Sequence, residues 1–179
     1  PVARGYREAG ASALSVLTDG PWFGGSLDDL SEVRASVDLP VLRKDFLVDP
    51  VQVAEARAAG ADGVLLIARI LEGPRLDEML EVCADTGMDA LVEVHGADEM
   101  DRALEAGARI VGVNARDLDT FEVDLALSER LVGAVPADRV AVAESGIRGG
   151  RDVRRMGEAG ADAVLVGGWL MERGPGAVA

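Results

Sequence analysis

The sequence predicts an α/β protein, an incomplete parallel (β/α)8 barrel (TIM barrel) in which seven of the eight strands are present. Three features predict it. A helix-ending phrase recurs along the 179 residues, a short β-branched run follows each copy, and helix and strand alternate strictly. Such alternation is typical of right-handed βαβ units in a parallel sheet. We therefore expect residues 1–179 to form a single barrel domain.

The recurring phrase places a glycine at the end of a helix. It occurs at residues Glu8–Ala11, Ala58–Ala61, Glu105–Ala108 and Glu158–Ala161. A glycine there suits the left-handed C-cap of a helix, and the apolar run that follows suits a strand buried on both faces. Other helix-to-strand turns use Gly87 or proline.

These turns divide the chain into seven predicted strands. They are Ala13–Leu17, Val41–Lys44, Gly63–Ile67, Ala90–Val94, Ile110–Val113, Val140–Ala143 and Ala163–Val166. Helices are predicted between them, and two have recognisable starts. Ser26 and Asp29 have the spacing of a capping box, and Asp49-Pro50 offers an N-cap followed by proline at the first helical position.

The number of strands decides between architectures. Seven strands exceed the usual five or six of a flavodoxin-like sheet, whereas an eight-stranded barrel typically takes about 250 residues. The chain opens inside a predicted helix, residues 1–10, with no strand before it. We therefore expect an N-terminally truncated barrel that lacks its first strand. Its open edges would pair with the missing N-terminal segment or with another partner. An open seven-stranded sheet is the alternative.

Composition excludes several classes of function. The net charge of −14 argues against nucleic acid and anionic membranes as partners. The longest apolar runs, such as Gly63–Ile67, are too short to span a bilayer. The single cysteine, Cys83, cannot form an intramolecular disulfide, fits a reducing compartment and predicts a cytoplasmic location. It lies in an amphipathic stretch and is expected to be a buried structural thiol.

Polar residues at the ends of apolar strands predict the active site, because barrel enzymes place their chemistry at the carboxyl ends of the strands. The residues are Lys44, Glu93, Asn114, Arg116, Glu144 and Ser145. Buried carboxylates are costly unless they are paired or functional, and lysine can transfer a proton where arginine cannot. Lys44 is also the only lysine among 18 basic residues. The alternative is a structural layer of ion pairs over the barrel core.

Other features predict the surroundings of this site. The glycine-bearing ends of the last two strands, at Gly146 and at Gly167-Gly168, suit backbone binding of a phosphate. His95, the only histidine, is expected at the rim, without a metal. Trp22 and Phe23 lie in a predicted loop, as a wall for a planar ligand or as simple packing. Three aspartates are expected to be solvated or to cap helices: Asp117, Asp119 and Asp124.

Several phrases resemble the indole-3-glycerol phosphate synthase family. They are Ser15–Asp19, Phe23–Ser26, Leu42–Phe46, Leu91–His95, Asn114–Leu118, Thr120–Val123 and Ala143–Ile147. The resemblance implies a carbon–carbon lyase of tryptophan biosynthesis that acts without cofactor or metal. It would close the indole ring of 1-(2-carboxyphenylamino)-1-deoxyribulose 5-phosphate, with loss of carbon dioxide and water, to give indole-3-glycerol phosphate.

The resemblance also implies roles for individual residues. Lys44 would be the general acid of ring closure, and Glu93 would transfer a proton in the dehydration. Asn114, Glu144 and Ser145 would complete the catalytic set by holding the hydroxyls and the developing charge. The substrate-binding residues would be Arg116 at the rim and Phe23 and Phe46 at the anthranilate ring. The phosphate would be bound at Gly146, Gly167 and Gly168. The family's first strand supplies a further lysine, a glutamate and a Ser-Pro-Ser phosphate contact that this sequence does not show.

Two alternatives to the synthase remain at this point. Another sugar-phosphate barrel enzyme, such as phosphoribosylanthranilate isomerase, pairs a cysteine with an aspartate at strand ends, whereas Cys83 falls on a predicted helix. A non-catalytic or partner-dependent barrel fragment is the other alternative.

Overall fold

A single parallel sheet forms the centre of the molecule. The computed structural model describes residues 1–178, and its seven strands lie side by side in chain order, every neighbouring pair parallel. The strands are β1 (Leu14–Leu17), β2 (Val41–Lys44), β3 (Gly63–Ile67), β4 (Asp89–Val94), β5 (Ile110–Asn114), β6 (Val140–Glu144) and β7 (Ala163–Leu165). All seven predicted strands are confirmed, each within one residue at either end.

Helices connect the strands and cover one face of the sheet. They are α1 (Val2–Glu8), α2 (Gly20–Phe23), α3 (Leu27–Ser36), α4 (Pro50–Ala59), α5 (Arg75–Asp85), α6 (Ala97–Glu105), α7 (Leu125–Val132), α8 (Gly150–Ala159) and α9 (Gly168–Arg173). A short 3-10 helix, Pro175–Ala177, follows α9. Within residues 1–178, none of the helices combines the length and the apolar character that a membrane crossing requires.

The sheet curls into a half-barrel, and successive side chains of each strand point to opposite faces. The convex face packs against the helices through a large apolar cluster that includes Val64, Val92 and Val111. The concave face holds a smaller cluster built on Leu65 and Leu91. The predicted barrel-type α/β fold is therefore confirmed.

The two ends of the described chain pack against each other. Tyr6 of α1 and Leu14 of β1 are buried in a third apolar cluster, to which Leu170 of α9 also contributes. Gly5 leaves room for the 3-10 helix, because a Cβ at this position would lie 2.8 Å from Pro175 Cγ. Although these helices meet, β1 and β7 do not pair with each other among the described residues.

The helix-to-strand turns follow the predicted pattern and add one feature. Gly60 and Gly160 are left-handed C-caps, with φ of 97° and 111°. Two residues after each of them, an aspartate accepts a backbone hydrogen bond across the sheet. Asp62 Oδ2 accepts from the N–H of Val41, and Asp162 Oδ2 from that of Ala141, both at 2.8 Å. These aspartates tie the start of one strand to its neighbour.

A buried ionic cluster lies on the convex side of β2. The Arg43 guanidinium donates to Asp45 Oδ2 at 2.9 Å and to the carbonyl oxygen of Gln52 at 2.7 Å. The Thr18 hydroxyl donates to the same Asp45 oxygen at 2.6 Å. Burial favours the neutral acid, but the hydrogen bonds from Thr18 and Arg43 outweigh it and hold the pKa of Asp45 below its usual range. The cluster thus joins β1, β2 and α4 directly beside Lys44.

Asp45→Asn is expected to lower the free energy of unfolding by about 3 kcal/mol, because it leaves the buried Arg43 guanidinium with only the half-exposed Glu55, 3.6 Å away, as its counter-charge. Urea unfolding followed by circular dichroism measures the change. Asp38→Asn is the matched control, since the Asp38 side chain is 87% exposed and lies 3.9 Å from Arg7. Equal stability losses in the two variants would contradict the proposed importance of the cluster.

Candidate active site

Lys44 and Glu93 meet on the concave face of the sheet. They lie at the carboxyl ends of β2 and β4, where residue parity turns both side chains away from the helices. Lys44 Nζ is 3.4 Å from Glu93 Oε2. The Glu93 side chain is only 1% exposed, whereas the Lys44 side chain is 26% exposed and so remains partly accessible to solvent.

Glu144 adds a second buried carboxyl group at the end of β6. Its Oε1 atom has no hydrogen-bond partner among the described residues. Burial raises the pKa of Glu144, and the negative charge of Glu93 raises it further. For Glu93, burial acts in the same direction, but the contact with His95 and the charge of Lys44 outweigh it and lower the pKa. The two shifts run in opposite directions and favour the ionised form of Glu93 and the protonated form of Glu144.

His95 is buried within this cluster, which differs from its predicted place at the rim. Its side chain is 2% exposed. Nδ1 lies 3.1 Å from Glu99 Oε2, and Nε2 lies 3.2 Å from Glu93 Oε1. The second contact is close but not aligned as a hydrogen bond. Burial alone would lower the pKa of His95, yet the two glutamates outweigh it and raise the pKa to about 9. The two glutamates thus favour the protonated ring at neutral pH.

Gly112 of β5 makes room for Glu144 and was not singled out in the sequence. A Cβ at this position would collide with Glu144 Oε1 and would lie 3.1 Å from Leu91 Cδ1. The registry of β5 with β6 pairs Gly112 with Val142 and Asn114 with Glu144. A glycine flanked by valines in a buried strand signals such a close approach, although it does not reveal the partner.

The predicted polar residues at the ends of β5 and β6 lie at the same edge of the sheet. Asn114 Oδ1 accepts a hydrogen bond from the backbone N–H of Arg116 at 2.9 Å. Arg116 itself is exposed and donates to the carbonyl oxygen of Phe121 at 3.2 Å. Ser145 has a φ of 64° in the left-handed region, which is strained for a residue other than glycine. This backbone turns the chain sharply just after Glu144.

An aromatic pair lies in the segments that follow β1 and β2. The rings of Phe23 and Phe46 are stacked, with centroids 6.1 Å apart and planes 14° from parallel. The predicted loop around Phe23 is instead the short helix α2, because Asp19 caps its first turn by accepting from the N–H of Trp22 at 2.7 Å. Trp22 is 78% exposed and therefore does not pack as a core residue.

The glycines predicted to bind phosphate lie after β6 and β7. Gly146 has a φ of 73°, and a Cβ there would lie 2.6 Å from Val123 Cγ1, so only glycine fits this turn. Gly167 and Gly168 are exposed at the start of α9. A Cβ on either would meet nothing within 4 Å, so these two positions leave their backbone open to the solvent.

Other sequence predictions have clear outcomes. Cys83 is buried in α5, and burial raises the pKa of its thiol to about 11, as suits a structural residue. Asp124 caps α7 by accepting from the backbone N–H groups of Ala126 and Leu127, both at 2.9 Å. Asp117 accepts from Asp119 N and Thr120 N within one turn.

Comparison with known proteins identifies the family. The family model described as indole-3-glycerol phosphate synthase matches residues 1–176. The chain belongs to the indole-3-glycerol phosphate synthase family. The family's synthase from Parafrankia sp. (strain EAN1pec) is 60% identical over 162 residues, which are 90% of this chain and 60% of that protein. The synthase from Mycolicibacterium vanbaalenii is 54% identical over 173 residues, which are 97% of this chain and 64% of that protein.

Two further findings concern the length of chain that is matched and the fold. The chain spans about three fifths of the length of the curated synthases it matches, 60% of one and 64% of the other. Among solved structures, the N-acetylmannosamine-6-phosphate 2-epimerase from Clostridium perfringens is similar, with a TM-score of 0.75 over 94% of this chain and 77% of that chain. At 17% identity this similarity shows the fold alone.

Gly112→Ala is expected to lower the free energy of unfolding by about 1–3 kcal/mol, because the added methyl group forces Glu144 out of its place. Urea unfolding measures the loss. The control is Gly157→Ala in α8, where a Cβ meets nothing within 4 Å. In that helix the same change should stabilise the protein by about 0.5–1 kcal/mol. A Gly112→Ala variant as stable as the control would contradict the close packing of β5 against Glu144.

Proposed function

We propose that this chain carries the ring-closing centre of an indole-3-glycerol phosphate synthase, a carboxy-lyase of tryptophan biosynthesis. The substrate is 1-(2-carboxyphenylamino)-1-deoxyribulose 5-phosphate, and the product is indole-3-glycerol phosphate. One observation carries the proposal: the only lysine of the chain lies 3.4 Å from the buried Glu93, near a second buried glutamate, Glu144, whose pKa is shifted in the opposite direction. This arrangement offers an acid and a base to one substrate within one cleft.

Lys44 acts in the first step. The ring carbon that bears the carboxylate attacks the carbonyl carbon of the sugar chain, and the carbonyl oxygen takes a proton from the Lys44 ammonium group. Carbon dioxide then leaves, which restores the aromatic ring. A lysine can give up this proton, whereas arginine stays protonated. The position of Lys44 at a strand end, partly exposed to the cleft, supports this role.

The two glutamates act in the second step, the loss of water. Glu93 is ionised; it takes the proton from the carbon beside the ring nitrogen and passes a proton to the departing hydroxyl group, which leaves as water. Glu144 keeps its proton and can donate a hydrogen bond to a substrate oxygen. Asn114 and Ser145, at the same edge of the sheet, hold substrate hydroxyls. The opposite pKa shifts of the two glutamates support this division of roles.

The rest of the substrate binds on either side of these groups. The stacked Phe23 and Phe46 form a flat surface for the anthranilate ring, and Arg116 supports the rim. The backbone of Gly146, Gly167 and Gly168 binds the phosphate, as the loops after the last two strands do in many barrels. The exposed backbone at Gly167 and Gly168 supports this assignment. We place the protein in the cytoplasm, where its single cysteine would stay reduced.

A second proposal concerns the edges of the sheet. Among the described residues β1 and β7 are unpaired with each other, and parallel edges left open are prone to pairing with other chains. We propose that an eighth strand, equivalent to a part of the relatives that the alignment does not cover, completes the barrel and the site. A non-catalytic or partner-dependent barrel is the competing function that these open edges favour.

Activity assays separate these possibilities. The 179-residue chain is compared with a chimera that restores the uncovered residues of the Parafrankia synthase, using the carboxyphenylamino substrate and detecting the indole product. We expect turnover by the chimera and little by the chain alone. Normal turnover by the chain alone would contradict the need for an eighth strand. Absence of turnover from a folded chimera would contradict the synthase activity.

In the same chimera, Lys44→Arg should reduce turnover by about 100-fold or more, because it keeps the charge and removes the transferable proton. The control is Arg109→Lys, the same pair of residues at a surface position whose side chain is 79% exposed. A Lys44→Arg chimera with full turnover would show that Lys44 is not the general acid.

A further inference from the structure

His95 stands out because it lies between two carboxylates deep in the concave face. It is the only histidine in the chain, and the proposed chemistry assigns it no step. A buried cation is costly unless its surroundings hold it in place. The contacts of the ring therefore indicate what it does there.

The two oxygens of Glu93 are divided between two cations. Oε2 lies 3.4 Å from Lys44 Nζ, and Oε1 lies 3.2 Å from His95 Nε2. One basic group beside each oxygen favours this orientation of the carboxylate about its last bond. The oxygen on the His95 side is thereby occupied, and the other is left to face Lys44 and the cleft.

The opposite side of the imidazole is anchored outside the site. Glu99 of α6 receives a hydrogen bond from the backbone N–H of His95 at 2.8 Å and contacts Nδ1 at 3.1 Å. Arg69, in the segment after β3, donates from Nε to Glu99 Oε1 at 2.9 Å. The contacts with His95 and Arg69 outweigh the burial of Glu99 and lower its pKa to about 2. Charges thus alternate from Lys44 through Glu93, His95 and Glu99 to Arg69.

We propose that His95, anchored by Glu99 and Arg69, is a positioning residue that holds the Glu93 carboxylate ionised and turned toward Lys44. The importance of this orientation for catalysis rests on the synthase function proposed above, whereas the coupling between the two side chains does not. The coupling between His95 and Glu93 matters because Glu144, whose pKa is raised, lies nearby. Without a cation on Oε1, the proton of Glu144 could pass to Glu93 and exchange the roles of the two acids.

The charge of His95 has a consequence for pH dependence. Glu93 and Glu99 face the ring, and Lys44, Arg69 and Glu144 form the next layer of charged or titratable groups. The pKa of His95 in the folded chain, about 9, lies above the ordinary 6.5. Its stabilising contribution is therefore complete below pH 6.5 and is lost as the pH rises through 9. The same pH range should weaken the hold on Glu93.

The test uses the single histidine as a probe. In the 179-residue chain labelled with 15N-histidine, nuclear magnetic resonance follows the protonation of one imidazole without assignment. We expect a titration midpoint near 9. Glu93→Gln should lower the midpoint by about one pH unit or more, a tenfold change in proton affinity. By thermodynamic reciprocity, His95 then favours the ionised form of Glu93 by the same factor. The control is Glu105→Gln on α6, which should leave the midpoint unchanged.

The outcomes distinguish positioning from simple packing. If only Glu99→Gln shifted the midpoint and Glu93→Gln did not, His95 would be a packing residue and the proposal would be overturned. Should Glu93→Gln fail to fold, Glu93→Asp is the second variant. Its shorter side chain withdraws the carboxylate and should also lower the midpoint, and an unchanged value would overturn the proposal.

In the active chimera, His95→Gln should reduce kcat and shift its pH profile while leaving KM nearly unchanged, and an unaltered profile would overturn the proposal. An inactive chimera would count against the synthase function and leave the titration result intact.

Discussion

Two carboxyl groups buried on one concave surface cannot both carry a charge, and much of this structure resolves that conflict. Glu93 and Glu144 project from alternate strands, β4 and β6, into the same small space. Lys44 and His95 each contact Glu93 and stabilise its charge, whereas no ion pair reaches Glu144 among the described residues. Burial and the charge of Glu93 outweigh the weaker opposing influence of Lys44 and His95 and raise the pKa of Glu144. The result is two chemically different acids built from the same residue type.

The alternation of side chains along each strand puts the residues of this site on the concave face and the stabilising ionic cluster around Arg43 on the opposite face. On β2, Arg43 turns toward the helices and joins Asp45, Thr18 and α4, while Lys44 turns into the cleft. The buried ion pair therefore fixes the backbone that carries Lys44 without competing for its counter-ion. On β5, Gly112 supports the site in another way, because the absence of a side chain leaves the space that Glu144 fills.

The strands and the convergence of their polar ends could be predicted because both follow from local rules. Glycine or proline marks each helix-to-strand turn, and parallel strands bring their carboxyl ends to one edge, so Lys44, Glu93 and Glu144 were expected to lie near one another. The depth of His95 was missed, although it follows Glu93 at the spacing of two that keeps a strand side chain on the same face. The sequence could not reveal that Glu99 reaches back from α6, because that contact depends on how the helix packs. The short helix α2 was missed as well, since a single capped turn has no periodicity. The fit of Gly112 to Glu144 is a property of tertiary packing.

The central claim is that Glu144 is neutral at the pH where Glu93 is ionised. Infrared difference spectroscopy tests it directly, because the carbonyl stretch of a protonated carboxylic acid is separate from the carboxylate bands. Spectra of the chain and of Glu144→Gln are compared at neutral pH, with Glu93→Gln as the second comparison. The account predicts that Glu144→Gln removes a protonated-acid band and that Glu93→Gln removes a carboxylate band instead. A Glu144→Gln spectrum that loses only carboxylate absorption would contradict it.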